Sequence, residues 1–181
     1  MNTEKRKLIE SFKGGLIVSC QVQHDDPTFS VDFVVKMAKA AKWGGAVGIR
    51  ANSPDQIEAI KKEVDLPIIG LYKIWHDDTD VFITPTLEAA EQVWDAGAEI
   101  IALDCTEQIT HEGRPAYELL PIVKKAIPEA IASGHLAEDE WHNRQKYSGT
   151  RCRLYRSHYQ AVFPNDLAGF CEDLLFHYPI I

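Results

Sequence analysis

From Gly15 to about Pro128 the sequence alternates short apolar runs with amphipathic stretches, and this rhythm constrains the fold more than any other feature. Gly15–Gln21 is a nearly continuous apolar run, as expected of a strand buried on both faces. Ser30–Trp43 carries Phe33, Val34, Met37, Ala38 and Ala41 at helical spacing and stops at Gly44-Gly45. Ala46–Asn52 reads as a second strand. Ser53-Pro54-Asp55-Gln56 then opens a second helix with a capping serine, a proline at the first helical position and a glutamine behind it. Leu66–Lys73 is a third strand, and Asp80–Thr86 a short extra extended segment. Thr86 caps a helix that Gly97 ends. Glu99–Thr106 is a fourth strand, and Tyr117–Ile127 a fourth helix before Pro128.

Four consecutive βα units result. Apolar strands joined by helices pair in parallel through right-handed crossovers, because a hairpin cannot reach a parallel neighbour. Two architectures fit, a doubly wound open sheet and part of a β/α barrel. Length bears on the second: 181 residues fall short of the roughly 200 to 250 of a whole eight-unit barrel. A flavodoxin-like sheet would place a glycine-rich phosphate loop after the first strand, and Val22–Phe29 contains no glycine.

Charge and cysteine usage exclude other classes. Lys plus Arg number 19 against 27 Asp plus Glu, a net charge of −8, which disfavours a phosphate-backbone binder, so no nucleic-acid partner is expected. No run approaches the roughly 18 apolar residues of a membrane span. The polar N-terminus lacks a secretory pattern, so a cytoplasmic protein is expected. Cys20, Cys105, Cys152 and Cys171 form neither a CxxC pair nor a zinc-finger spacing, and a disulfide framework is not expected.

After Ile131 the texture changes. Between Ala132 and Pro179 there is one valine and no isoleucine, so no fifth strand is expected. Only Asp166–Tyr178 keeps helical spacing. The expected organisation is residues 1–131 as the N-terminal half of a β/α barrel and 132–181 as an atypical tail. Reading Ser148–Arg153 one base out of frame permits Leu-Gly-X-Asp-Val, which makes a frameshifted tail a hypothesis that the coding DNA tests. His135, His142, His158 and His177 lie at irregular intervals with no ligand spacing, and no metal is expected. Arg151, Arg153 and Arg156 with Tyr155 and Tyr159 read as a solvated segment, and His24 beside Asp25 and Asp26 as a loop residue.

Both architectures bind ligands at the carboxyl ends of their strands. Those ends carry Gln21, Arg50, Lys73 and Asp104. One polar strand end marks where a chain meets water; four at one face suggest a site. A lysine near apolar walls and a second cation becomes a usable base. Arg50 offers a fork for an oxyanion or phosphate, Gln21 a donor and acceptor for sugar hydroxyls or an amide, and Asp104 an acceptor for a hydroxyl or for Lys73. A salt-bridge network among the same residues is the plain alternative.

Ser19–Gln21 (SCQ), Gly48–Asn52 (GIRAN), Pro67–Lys73 (PIIGLYK), DVFITPT and EIIALDCT together resemble the N-acetylmannosamine-6-phosphate 2-epimerase family over about residues 5–130. The resemblance implies a β/α (TIM) barrel, here partial, that interconverts the 6-phosphates of N-acetylmannosamine and N-acetylglucosamine in sialic acid catabolism, without metal or redox cofactor. It implies Lys73 as the catalytic group exchanging the C2 proton, Gln21 and Arg50 as substrate contacts, and Asp104 in the strand-four motif. The small-molecule partner would be an amino sugar phosphate. Two departures stand out. Lys73 is followed by Ile74-Trp75-His76 where the family has Arg-Asp-Tyr, and no segment after Ile131 matches the family's later motifs. The alternative is a non-catalytic remnant, or a sugar-phosphate-binding half-barrel that associates with another chain, a second copy included, to cover its edge.

Overall fold

The computed structural model describes residues 3–135, 153–154 and 160–163. Helix α1 (Thr3–Ser11) precedes four alternating pairs: β1 (Ile17–Cys20) with α2 (Val31–Trp43), β2 (Gly48–Asn52) with α3 (Pro54–Glu63), β3 (Ile68–Leu71) with α4 (Leu87–Asp95), and β4 (Ile100–Asp104) with α5 (Leu119–Ala126). A 3₁₀ turn, Ala116–Glu118, leads into α5, and β5 (Ile131–His135) follows it. Two further strands, β6 (Arg153–Leu154) and β7 (Gln160–Phe163), complete the described elements.

Strands β1 to β5 are parallel and lie side by side in chain order, β1-β2-β3-β4-β5. That order decides between the two architectures. A doubly wound sheet reverses direction at a switch point, whereas a β/α barrel adds each strand beside the last. The four expected βα units are all present. Beyond β5 the pattern changes: β7 pairs with β5 antiparallel, and β6 with β7 antiparallel.

The two faces of the sheet pack differently. Ile49, Ala51, Ile68, Ile101, Leu103 and Ala132 point outward beneath α2 to α5, against Val34, Ile57, Ile60, Val93 and Val123. Gly70 is the closest outward approach: a Cβ there would lie 2.6 Å from Ala98 Cβ and 2.7 Å from Val93 Cγ1. Ile17, Ile69, Leu71, Ile100, Ala102 and Ile131 point inward, where Leu8, Ile9 and Phe12 of α1 and its following turn cover them. α1 thus seals the inner face, and Lys5 Nζ ties it to Pro128 O at 2.5 Å, just before β5. Sequence reasoning assigned no helix to 3–11. Its value is apparent only once there is an inner face to cover.

The fifth strand corrects the expectation that strands stop at Ile131. Ile131, Ala132, Ser133, Gly134 and His135 pair in register with Ile100 to Asp104. Strand propensity is weak in Ala-Ser-Gly-His, but the paired edge of β4 overrides it. Ser53 also departs from expectation. It precedes α3 but makes no capping bond, and its backbone sits at φ 64°, a conformation that residues other than glycine rarely adopt. Its hydroxyl instead donates to Asp55 Oδ1 at 2.5 Å. Ser30 and Thr86 do cap, accepting from the backbone N–H of Phe33 and Ala89.

The segment expected to be extended near 80–86 is a wedge between the carboxyl ends of β3 and β4. These strands pair only at Ile69 and Gly70. Above that, Thr84 N–H donates to Tyr72 O, Phe82 O accepts from Ile74 N–H, and Ile83 O accepts from Asp104 N–H. Thr84 sits at φ 49°, costly for a β-branched residue. Its hydroxyl holds it there, donating to Ala102 O at 2.6 Å and accepting from Tyr72 N–H at 3.0 Å.

Among the described residues no helix is long and apolar enough to cross a membrane. Cys20 and Cys105 are buried and not in disulfides, and burial pushes the Cys20 thiol up to about 11. Cys152, Cys171, the 166–178 periodicity and the basic and histidine-rich parts of the tail lie outside the described residues, apart from the backbone strands β5 to β7.

Candidate functional site

Successive side chains of a strand alternate between faces, so the inward set follows from the core contacts. Ile17 points inward, hence Ser19 and Gln21; Arg50 and Asn52 share that side; Ile69 and Leu71 lead to Lys73, and Ile100 and Ala102 to Asp104. The inner face is therefore apolar near α1 and polar at the carboxyl ends. All four residues expected from the sequence, Gln21, Arg50, Lys73 and Asp104, belong to that polar end.

Asp104 is 7 % exposed. Its Oδ2 accepts from the backbone N–H of Phe82 at 3.0 Å and of Ile83 at 2.9 Å, so this carboxylate fastens the wedge to β4. Burial pushes its pKa up to about 6, although those two N–H groups and the Arg50 charge pull the other way. Arg50 lies in the same low-dielectric region. Burial lowers it to about 10, against the opposing attraction of Asp104.

Lys73 is half-buried at the end of β3. Its backbone N–H donates to Asn52 Oδ1 at 2.9 Å, and its chain bridges Ile83 of the wedge. Its ammonium is held below the ordinary lysine range, first by burial and then by the like charge of Arg50. A half-buried lysine beside a deeper arginine is the arrangement that frees an amine for base chemistry.

Gln21 Nε2 donates to Ser19 Oγ at 2.8 Å. Three buried polar atoms among the described residues have no partner: Gln21 Oε1, Arg50 Nε and Ser133 Oγ. All three belong to inward positions of the sheet. Unpaired buried polar groups are costly in a fold with no use for them, and here they share one face.

Sequence reasoning missed Asn52, Ser133 and Thr84. Asn52, 2 % exposed, positions the Lys73 backbone, and Thr84 sets the wedge. Counting in twos from Gln21 and Arg50 along their strands would have found Ser19 and Asn52, but Ser133 lies on a strand that was not expected. His24 lies in the loop after β1, as expected; its Nε2 is 3.1 Å from Asp55 Oδ2 and its ring packs on Phe29. Among the described residues, His76, Asp78 and His111 also come together, across the loops that follow β3 and β4.

The fold and this face define a β/α-barrel protein with a lysine, an arginine and a carboxylate at the carboxyl ends of its strands. The family model described as "NanE: Putative N-acetylmannosamine-6-phosphate epimerase" matches residues 34–136. The chain belongs to this family. A Listeria monocytogenes protein named for the same 2-epimerase activity is 46% identical over 124 residues, covering 68% of this chain and 54% of its own length. A Borrelia garinii counterpart is 43% identical over 140 residues, covering 77% and 60%. The solved structure of the N-acetylmannosamine-6-phosphate 2-epimerase from Clostridium perfringens aligns with TM-score 0.68 and 34% identity, covering 77% of this chain and 60% of that one. The chain thus spans little more than half the length of the relatives it matches.

Proposed function

We propose that this chain acts on an N-acylmannosamine 6-phosphate, with Lys73 exchanging the proton at C2 and Arg50 and Gln21 holding substrate oxygens. The observation that carries this is the pairing of a half-buried Lys73, its pKa lowered by burial and by Arg50, with the unpartnered inward atoms of Arg50 and Gln21. Once the sugar ring opens, the C2 proton lies next to an aldehyde and is acidic enough for an amine base. Neutral Lys73 takes that proton, the electron pair moves onto the carbonyl oxygen, and a guanidinium such as Arg50 stabilises the oxyanion. Returning a proton to the same face restores the starting sugar. Returning it to the other face completes epimerisation and requires a second acid. Asp104 fits the site as the group that fixes the wedge beside Lys73 and balances the Arg50 charge.

Exchange and epimerisation are separable in deuterium oxide, where N-acetylmannosamine 6-phosphate is followed by proton NMR. The expected result is loss of the C2 proton signal with the purified chain. Lys73→Ala should slow that loss by about 10²- to 10⁴-fold, the usual contribution of a positioned acid/base. The exchange rate should rise with pH, because the neutral amine is the active form, with a midpoint below the ordinary lysine value of 10.5. Exchange that survives Lys73→Ala would remove Lys73 from this role. Binding of the sugar phosphate without exchange would favour the half-barrel as a binding protein.

A further inference from the structure

Where the chain departs from its family after Lys73, it places two imidazoles and a carboxylate together. His76 and Asp78 stand in the loop after β3, and His111 in the loop after β4. One ligand atom from each lies within 4.8 Å of the others. His111 Nδ1 sits 2.9 and 3.0 Å from the two Asp78 oxygens. The His76 and His111 rings stack with centroids 4.3 Å apart and planes within 2°. Together with Trp75 and Asp77 they line an open cleft of about 500 Å³.

Protein contacts join the two loops. Thr79 Oγ1 donates to Ile109 O at 2.6 Å, joining one loop to the other, and His76 bridges Thr79. Thr110 and Arg114 close the second loop through a backbone N–H bond of 2.8 Å, and Gly113 supplies its left-handed residue at φ 78°. Trp75 stacks on Phe82 of the wedge at 3.8 Å, which orients the start of the first loop. The donor side chains are more than half exposed at His111 and Asp78, so their rotamers can adjust.

We propose that His76, Asp78 and His111 form a binding site for a divalent first-row transition ion of the zinc class, with solvent completing the coordination. Two imidazole nitrogens and one carboxylate suit such an ion better than magnesium or calcium, which favour all-oxygen shells. Zinc draws such donors to about 2.0–2.2 Å from itself, so the observed spread needs only an inward turn of exposed side chains. The ion would replace the His111–Asp78 contact with one bridge between the two loops, three residues beyond Lys73. Its binding does not depend on the sugar chemistry proposed above.

The test is titration of the full-length chain with Co²⁺, followed by visible d–d absorption, and then competition with Zn²⁺. One site of micromolar or tighter affinity is expected, with a rise in Tm on Zn²⁺ addition. His76→Ala and His111→Ala should each weaken that site by at least tenfold and abolish the Tm rise, while His24→Ala leaves both unchanged. Far-UV circular dichroism checks that these surface variants remain folded. A parent chain that binds neither ion at micromolar concentration would overturn the proposal and leave a surface ion pair. So would an unchanged site in the His76→Ala/His111→Ala double variant, which would put the ion on other histidines.

Discussion

Asp104→Asn separates the charge of this side chain from its hydrogen bonds. Both backbone N–H groups, of Phe82 and Ile83, donate to the single oxygen Oδ2. An asparagine can offer its amide oxygen in the same place, so the wedge keeps its anchor. What changes is the cost of a buried negative charge. The folded-state pKa lies at about 6 against an ordinary 3.8, with burial the leading cause. At 1.36 kcal/mol per pKa unit, ionising Asp104 in the folded protein costs about 3 kcal/mol relative to the unfolded chain. The sign follows from proton uptake. Between pH 3.8 and 6 the folded state holds a proton here that the unfolded state has released, so this group's contribution to stability falls as pH rises through that window. Above it the full cost is present; below it the cost vanishes. Urea unfolding of both proteins from pH 3 to 8 measures the difference, in which the other titrating groups largely cancel. The asparagine variant should gain stability relative to the parent as pH rises, by up to about 3 kcal/mol at pH 8, and level off near the acid end. A pH-independent difference, or a variant that loses ground on going to pH 8, would refute the reasoning. It would mean that attraction to Arg50 outweighs burial.

Two other substitutions probe the sheet and the cation pair. Gly70→Ala would push a methyl against Ala98, Val93 and Ile57, at 2.6, 2.7 and 2.9 Å, and should cost about 1–3 kcal/mol in chemical denaturation, because all three neighbours are buried in the core between sheet and helices. Arg50→Gln removes the like charge acting on Lys73, so the midpoint of the pH–exchange profile should move up toward the ordinary lysine value, although burial still holds it below. An unmoved midpoint would mean that the Arg50 charge does not reach the amine.

The elements legible in the sequence were those whose own composition demands burial. Ile17–Cys20, Gly48–Asn52, Ile68–Leu71 and Ile100–Asp104 carry enough branched apolar residues to declare themselves as strands, and their polar ends declare one face. β5 does not. Ala132 and Gly134 need only be small enough to lie under α5, and Ser133 only needs to face inward, so the strand exists because β4 offers a paired edge. The wedge was half legible. DVFITPT read as an extended segment, but it forms no strand beyond a bridge at Ile83, and its insertion between β3 and β4 rests on the Thr84 hydroxyl and the Asp104 carboxylate meeting across some twenty residues. The histidine cluster lay out of reach for a similar reason: His76 and His111 are 35 positions apart, and only the neighbouring βα loops bring them together.

Reading four strand ends as one ring of equals also obscures their depth, which separates their chemical roles. Arg50 lies opposite Ile69 and Ser19 in register, two residues before the end of β2. Lys73 lies two residues beyond Leu71, which is itself opposite Asn52, so its backbone stands above that of Arg50 toward the mouth. The deeper cation is more strongly desolvated, yet its pKa of about 10 leaves it charged at any physiological pH. The shallower one starts from a lower intrinsic value and is pushed down again by burial and by the charge beneath it. Burial and the charge beneath it both favour the neutral amine at Lys73, while the guanidinium of Arg50 stays positive at physiological pH. The proposed division between a base at Lys73 and an oxyanion partner at Arg50 therefore follows from where the register sets each residue along its strand. Exchanging the two, as Arg50→Lys with Lys73→Arg, would put a deprotonatable amine at the bottom of the site and a permanent cation at its mouth. The double exchange should abolish C2 exchange even though the total charge is unchanged, and retained exchange would show that depth does not set the roles.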